Sequence, residues 1–370
     1  MRVLVVSESF LPQVNGVTNS VRRVLEHLER RGHGAALVAP SGPGEYAGAP
    51  VRQVRSVAMP TYRDFPVGLA AQRTLRHVLW GFAPDVVHLA SPAWLGHQAG
   101  MAARSMGVPV VAVYQTDLVG FAERYPFPGA AAAMRSLTRR VHEPADRTLV
   151  PSTASRDQLT GMGIERLHLW GRGVDTELFG PERRSEELRR ELGVRHLVGY
   201  VGRLAPEKEL ELLVQVQDLP DTRLVVVGGG PEEQRLRSVL PRAAFLGMRH
   251  GEDLARIVAS LDVFCHTGRT ETFCQSAQEA LASGVPVVAP RAGGPVDLVA
   301  EGRTGFLYRP GDGQELATHV TRLLADPALR AGMGTAATRS VQGRSWAALN
   351  DQLLDHYRAV TARRVLDHAA

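Results

Sequence analysis

The sequence predicts an α/β protein built from two parallel-sheet domains. Three observations carry this: short apolar runs bounded by turn residues, amphipathic stretches between them, and a second series of the same alternation beginning near residue 197. Such alternation produces right-handed βαβ units with helices on both faces of a parallel sheet. In the first series, residues 3–6, 35–38, 86–89, 108–113 and 148–150 read as strands. Val17, Val21, Val24, Leu25 and Leu28 recur at helical steps, with Arg22, Arg23, Glu26 and Arg30 on the other face and Gly32 placed to end the helix. In the second series, residues 197–201, 223–227, 244–246, 263–266, 285–289 and 305–308 read as strands. Residues 210–217, 232–239, 253–259, 274–282 and 314–325 read as helices. Residues 182–191 predict a surface helix and 130–133 a helical turn. A basic helix over 345–366 has no strand after it and is expected to return to the first domain. The boundaries that follow are 1–172, 173–344 and 345–370, with the junction at Trp170-Gly171-Arg172-Gly173-Val174-Asp175.

Composition narrows the function classes. Over 370 residues, 44% apolar and 22% charged residues describe an ordinary soluble protein and exclude disorder as the main state. The net charge of +5 suits an anionic ligand or membrane surface and does not argue for nucleic acid. Two cysteines exclude a disulfide framework and a Cys-rich zinc site. No metal-binding histidine spacing occurs, so no metal is expected. The first residues enter an apolar strand without a signal-peptide pattern, and no apolar run reaches the ~18 residues of a membrane span. A cytoplasmic protein, peripheral at most on the inner membrane face, is expected.

Several loops carry candidate chemistry. Asn15-Gly16-Val17 lies between a strand and a helix, where a glycine lets backbone approach a ligand; the bland alternative is a plain Asn-Gly turn. A single glycine there is not a dinucleotide fingerprint, which counts against an oxidoreductase. Gly202-Arg203-Leu204 with Lys208 places two cations after a strand, where an open α/β sheet binds ligands, and a helix dipole would add to them. Gly228-Gly229-Gly230 reads better as a tight turn than as a phosphate cradle. In the stretch 268–279, Glu271 precedes a helix and Glu279 lies within it, so the two would share a face and could accept hydrogen bonds from ligand hydroxyls.

These motifs resemble family 4 of the retaining glycosyltransferases, which have the GT-B architecture of two Rossmann-like domains facing across a cleft. Glu271 and Glu279 match the family's Glu-x7-Glu motif, Arg203 and Lys208 its Gly-Arg-Leu-x-x-x-Lys motif, Asn15-Gly16-Val17 its N-terminal Gly loop, and residues 173–179 its interdomain signature. The resemblance implies a nucleotide-sugar site in the second domain and an acceptor side in the first. Arg203 and Lys208 would neutralise the diphosphate in place of a metal. Glu279 would hold the ribose and Glu271 the sugar, with Thr272, Phe273, Cys274 and Gln275 closing over the donor and Gly16 touching the phosphate. Glu271 would then not act as a hydrolase-type nucleophile. One departure stands out: Gln115 occupies the place where many members carry a histidine. The Tyr114-Gln115-Thr116-Asp117 variant and the opening at 7–17 are similar to actinobacterial α-mannosyltransferases that use GDP-mannose and glycolipid acceptors. His88 ends a strand and is a candidate contact or a core residue; Met248, with Arg249 and His250, is a candidate for the base pocket; His33 and His142 are expected at the surface.

Residues 67–82 combine apolar positions with Arg73, Arg76, His77 and Trp80, and predict a basic amphipathic helix for an anionic membrane surface or for the sheet; Arg135, Arg139 and Arg140 would extend the patch. The resulting expectation is a metal-independent retaining transferase moving α-mannose from GDP-mannose to a lipid-linked acceptor, a glycolipid or phosphoinositide. The alternatives are a UDP-sugar enzyme acting on a soluble inositol, aminocyclitol or sugar, and a non-catalytic nucleotide-sugar-binding module.

Overall fold

A computed structural model of the chain describes residues 1–13, 15–59, 62–90, 93–122 and 129–369; for 58–59, 62–67, 121 and 364–369 it describes the backbone alone. Val14, Ser91 and Pro92, and the side chains of Val67 and Leu366, lie outside the described residues. The chain divides into two compact units: Met1–Arg172 with Trp346–Ala370, and Gly173–Ser345.

The first unit holds an eight-stranded sheet. From edge to edge its strands are Leu167–Leu169, Arg147–Val150, Val110–Val113, Val86–Leu89, Arg2–Val6, Gly34–Ala39, Ala49–Gln53 and Glu45–Tyr46. All neighbours are parallel except the last pair. One face packs against the helix Gly16–Arg30 through Val17, Val21, Val24, Leu25 and Leu28, and against Leu349, Leu353, Leu354 and Tyr357 of the helix Trp346–Ala369. The other face packs against Leu75, Leu79, Leu95, Ala99 and Ala102 of the helices Gln72–Phe82 and Trp94–Ser105. Trp170 Nε1 donates to the Leu349 carbonyl at 2.7 Å, which ties the last helix to this unit.

The second unit holds a six-stranded parallel sheet in the order Ala244–Gly247, Thr222–Val227, His196–Val201, Val263–Cys265, Val287–Pro290, Gly305–Tyr308. In both sheets the strand order reverses beside the first strand of the unit, the doubly wound arrangement of Rossmann-like folds.

Two segments differ from the sequence reading. Residues 67–69 are not helical: they end the strand Tyr62–Leu69, which pairs antiparallel with Arg55–Met59, and the helix starts only at Gln72. Val67 pairs with Val57 and Gly68 with Ser56, so main-chain pairing outweighs the apolar spacing there. Residues 182–191 form a 3-10 turn, Pro181–Arg183, and a short helix, Glu187–Leu192.

Candidate active site

Ligands of open α/β sheets bind beyond the carboxyl ends of strands where the strand order reverses. In the second unit that point lies between His196–Val201 and Val263–Cys265. The loop after the first of these carries Arg203 and Lys208, and the loop after the second carries Glu271. The two loops lie face to face: a Cβ built on Gly268 would sit 3.4 Å from Lys208 Cα, and Thr267 Oγ1 donates to the Lys208 carbonyl.

Lys208 Nζ donates to Glu271 Oε1, and the two side chains are only 18% and 20% exposed. Burial would raise the Glu271 carboxyl, but Lys208 and His266 beside it hold it well below the usual carboxylate range. Arg203 pairs with Glu207 at the surface. Lys208 does not stand on an α-helix, contrary to the sequence reading. Pro206–Lys208 and Leu210–Leu213 are 3-10 turns broken by Glu209 at φ 51°. A three-residue turn aligns too few peptide dipoles to serve as a helix terminus.

The triple glycine turn is structural. A Cβ on Gly228 would lie 1.9 Å from the Gly202 carbonyl oxygen, so Gly228–Gly230 lets the Arg203 loop rest directly on backbone. Gly294 does the same for Glu271: its N–H donates to the Glu271 carbonyl at 2.8 Å, and a Cβ there would fall 2.3 Å from Phe273 Cα.

The shared helical face expected for Glu271 and Glu279 is not formed. Cys274 is left-handed (φ 79°), which breaks the helical frame, and the helix begins at Gln275 with Glu279 about one turn inside. Burial pushes the Glu279 carboxyl up to about 7, against a hydrogen bond with Gln275, and Asp175 nearby adds to the rise. Gln275 Nε2 also donates to the Gly173 carbonyl at 3.0 Å. Phe273 and Cys274 are buried and Thr272 half-buried. Met248 follows the strand Ala244–Gly247 with its side chain 61% exposed, alongside Gly229.

In the first unit, Asn15 caps the helix Gly16–Arg30: its Oδ1 accepts from Val17 N at 3.0 Å and Thr18 N at 2.9 Å, and its Nδ2 donates to Ser9 Oγ at 2.7 Å. Gly16 is exposed, with Arg172 Nη1 donating to its carbonyl at 3.3 Å. Gln115 is buried; its Nε2 donates to the Ala90 carbonyl and its Oε1 accepts from Arg172 Nη2 at 2.9 Å. Among the described residues, no group of three or more His, Cys, Asp or Glu side chains is arranged to hold a metal ion.

Residues 14–178 match the family model described as Glycosyltransferase Family 4, and residues 185–340 match Glycosyl transferases group 1. A GDP-mannose-dependent alpha-mannosyltransferase of Mycobacterium tuberculosis is 50% identical over 379 residues, covering 100% of this chain and 99% of its own. This chain is a family 4 glycosyltransferase. A relative of the same printed name from Corynebacterium glutamicum is 44% identical and covers 98% of this glycosyltransferase and 90% of itself. HepE from Anabaena, solved in complex with UDP, superposes with a TM-score of 0.79 at 21% identity, over 97% of this chain and 100% of its own, and so shares the GT-B fold.

In this glycosyltransferase the sequence reading missed two residues. Arg172 reaches both Gln115 and Gly16, more than 50 residues away along the chain in each case. His266 sits against Glu271. The candidate role of His88 gives way to packing: the ring is 1% exposed, its Nδ1 meets Tyr357 Oη at 2.7 Å, and burial pushes it down to about 3. His142 is buried rather than at the surface, against Tyr114 and 3.1 Å from Thr148 Oγ1.

Proposed function

We propose that this enzyme transfers α-mannose from GDP-mannose, with retention and without a metal, to a lipid-linked acceptor at the cytoplasmic membrane face. The observation that carries the reading is the Lys208–Glu271 pair at the switch point of the second sheet, in a chain half identical over its whole length to a protein named for GDP-mannose-dependent alpha-mannosyl transfer. Arg203 and Lys208 supply the countercharge for a diphosphate leaving group, the role a divalent metal would otherwise fill. Glu271 holds hydroxyls of the sugar, with the backbone at Thr272, Phe273 and Cys274 beside it. Glu279, with Gln275, holds the ribose, and Met248 borders the base. In the first unit Gly16 is the candidate contact for a phosphate, and Asn15 shapes its loop. Gln115 acts there through Arg172, which carries the charge that an amide lacks. With two preorganised cations the enzyme works by charge stabilisation and positioning.

Two observations support a lipid acceptor. The helix Gln72–Phe82 buries Leu75 and Leu79, while Arg73, Arg76, His77 and Trp80 face outward, Trp80 at 74% exposure. A relative of Mycolicibacterium smegmatis, 31% identical over 95% of this chain, is named for mannosylation of a phosphatidylinositol monomannoside. No helix among the described residues is long and apolar enough to cross a membrane, so contact would be interfacial.

Thermal denaturation in EDTA with GDP, UDP, GDP-mannose and UDP-glucose tests the donor. A ligand at 100 times its Kd adds about 2.7 kcal/mol. Stabilisation by the guanine ligands alone is expected; stabilisation by the uridine ligands alone refutes the donor. Flotation with phosphatidylglycerol vesicles tests the surface, and binding that is unaffected by Trp80→Ala with Arg73→Ala and Arg76→Ala refutes its placement on this helix.

A further inference from the structure

One buried titratable group beside the site has no role in the reaction as proposed. His266 follows the strand Val263–Cys265 and is 2% exposed. Its ring stacks on Tyr200, with centroids 6.2 Å apart and planes at 15°. Tyr308 Oη donates to the His266 carbonyl at 3.1 Å, which fixes its backbone. With the ring held this way, Nε2 lies 3.1 Å from the Gly268 carbonyl oxygen and 3.4 Å from Glu271 Oε1.

A histidine needed only for packing would be neutral here, because burial strips an imidazolium of its hydration. The surroundings argue otherwise: burial opposes the charge, but Cys274 and Glu271 beside it push the imidazole up to about 10. Lys208 and His266 approach the same carboxylate oxygen, Glu271 Oε1. Oε2 takes part in neither contact; Lys208 donates to Oε1 from one loop, and the His266 ring, with Nε2 on the Gly268 carbonyl, stands against the same oxygen from the other, so both cationic groups lie on one side of the carboxylate.

We propose that His266 is a positioning residue for Glu271: its Nε2–H anchors Oε1 so that Oε2 is presented to the donor sugar. The inference rests on the reading that Glu271 holds that sugar. It also explains how Glu271 keeps its place during turnover. An incoming diphosphate competes for Lys208, and His266 is the partner that remains on the carboxylate.

The test compares His266→Phe, which keeps a flat ring against Tyr200 but has no donor, with His266→Gln, whose amide N–H reaches the same region. His266→Phe should lower kcat for mannose transfer by on the order of 10²-fold, with KM for the donor and the melting shift given by GDP little changed. His266→Gln should restore most of kcat. Wild-type kcat in His266→Phe overturns the proposal, as does equal loss of kcat in both variants with unchanged melting temperatures. If His266→Phe does not fold, ring 15N shifts of the wild type decide. An imidazolium that persists above pH 8 and titrates at lower pH in Glu271→Gln is expected; wild-type titration at or below about 6.5 overturns it. Glu271→Ala and Lys208→Ala are run in parallel. If those two retain transfer, the site reading has failed; if they lose it while His266→Phe does not, only the role of His266 has failed.

Discussion

Lys208→Met removes the ammonium and keeps the apolar stem. Breaking a fully buried ion pair from one side costs about 3–5 kcal/mol. Because Lys208 and Glu271 are 18% and 20% exposed, solvent takes up part of that, and about 2–3 kcal/mol of lost stability is expected. His266 remains beside Glu271, so the second unit should still fold. The loss of turnover should be larger: removing one preorganised partner of a developing oxyanion typically lowers kcat by about 10²–10³-fold. Initial rates of GDP release with GDP-mannose and acceptor measure the second effect, and urea unfolding measures the first. Combining Lys208→Met with Glu271→Gln separates them. The double variant should be more stable than the sum of the single losses by about 1–3 kcal/mol, because no unpaired charge is left. Turnover of Lys208→Met within about threefold of wild type would mean that the ammonium does not face the leaving group.

Three further outcomes follow from the geometry. Glu8 is fully buried, accepts from Gly68 N at 3.0 Å and Gly96 N at 3.2 Å, and is pushed up to about 7 by burial. Its folded pKa lies above its unfolded one, so its contribution is complete below about pH 4.5 and lost as pH rises through 7; relative to Glu8→Gln, wild type should lose about 3 kcal/mol over that window in urea unfolding, and a pH-independent difference would refute this. Gly294→Ala drives a methyl into the Phe273 backbone and should cost about 1–3 kcal/mol while abolishing the GDP-induced melting shift; an unchanged shift would separate the Glu271 loop from the ligand. Arg172→Ala removes a donor from the buried Gln115 amide and should cost about 1–2 kcal/mol, with a fall in kcat/KM that Arg172→Lys only partly restores, and unaltered kinetics would leave Arg172 a structural residue.

Local pattern determined what could be read before the structure. The strands at 3–6, 197–201 and 305–308 are short apolar runs with no competing helical spacing, and they form as expected. The helix Gly16–Arg30 has both its apolar stripe and its Asn15 cap written in consecutive residues. The strand Tyr62–Leu69 was misread because its partner at 55–59, and not its own pattern, makes it a strand. Glu271, Lys208, Arg203 and Glu279 were visible as motifs. Their geometry was not, because Cys274 and Glu209 leave the helical region at positions where nothing in the neighbouring sequence requires it. Arg172 and His266 were missed for a different reason. Arg172 meets Gln115 only when their strands come together in the sheet, and His266 is held against Glu271, five residues on, by stacking on Tyr200 of the neighbouring strand.

The helix Trp346–Ala369 belongs to the first unit although the whole second unit intervenes in sequence. It covers Trp170 through the Leu349 carbonyl and closes over His88 with Tyr357. On the ribosome, residues 1–172 therefore emerge with one sheet face covered by the helix Gly16–Arg30 alone and must wait for the last helix to complete it. Residues 173–345 hold every strand and helix of their own unit before residue 346 is made. Synthesis thus favours the later-encoded unit as the first to become complete. Until then the apolar face at Val3, Val5, Val111 and Leu149 is the part of the nascent chain a chaperone would meet, and a ribosome stalled before residue 346 would display it.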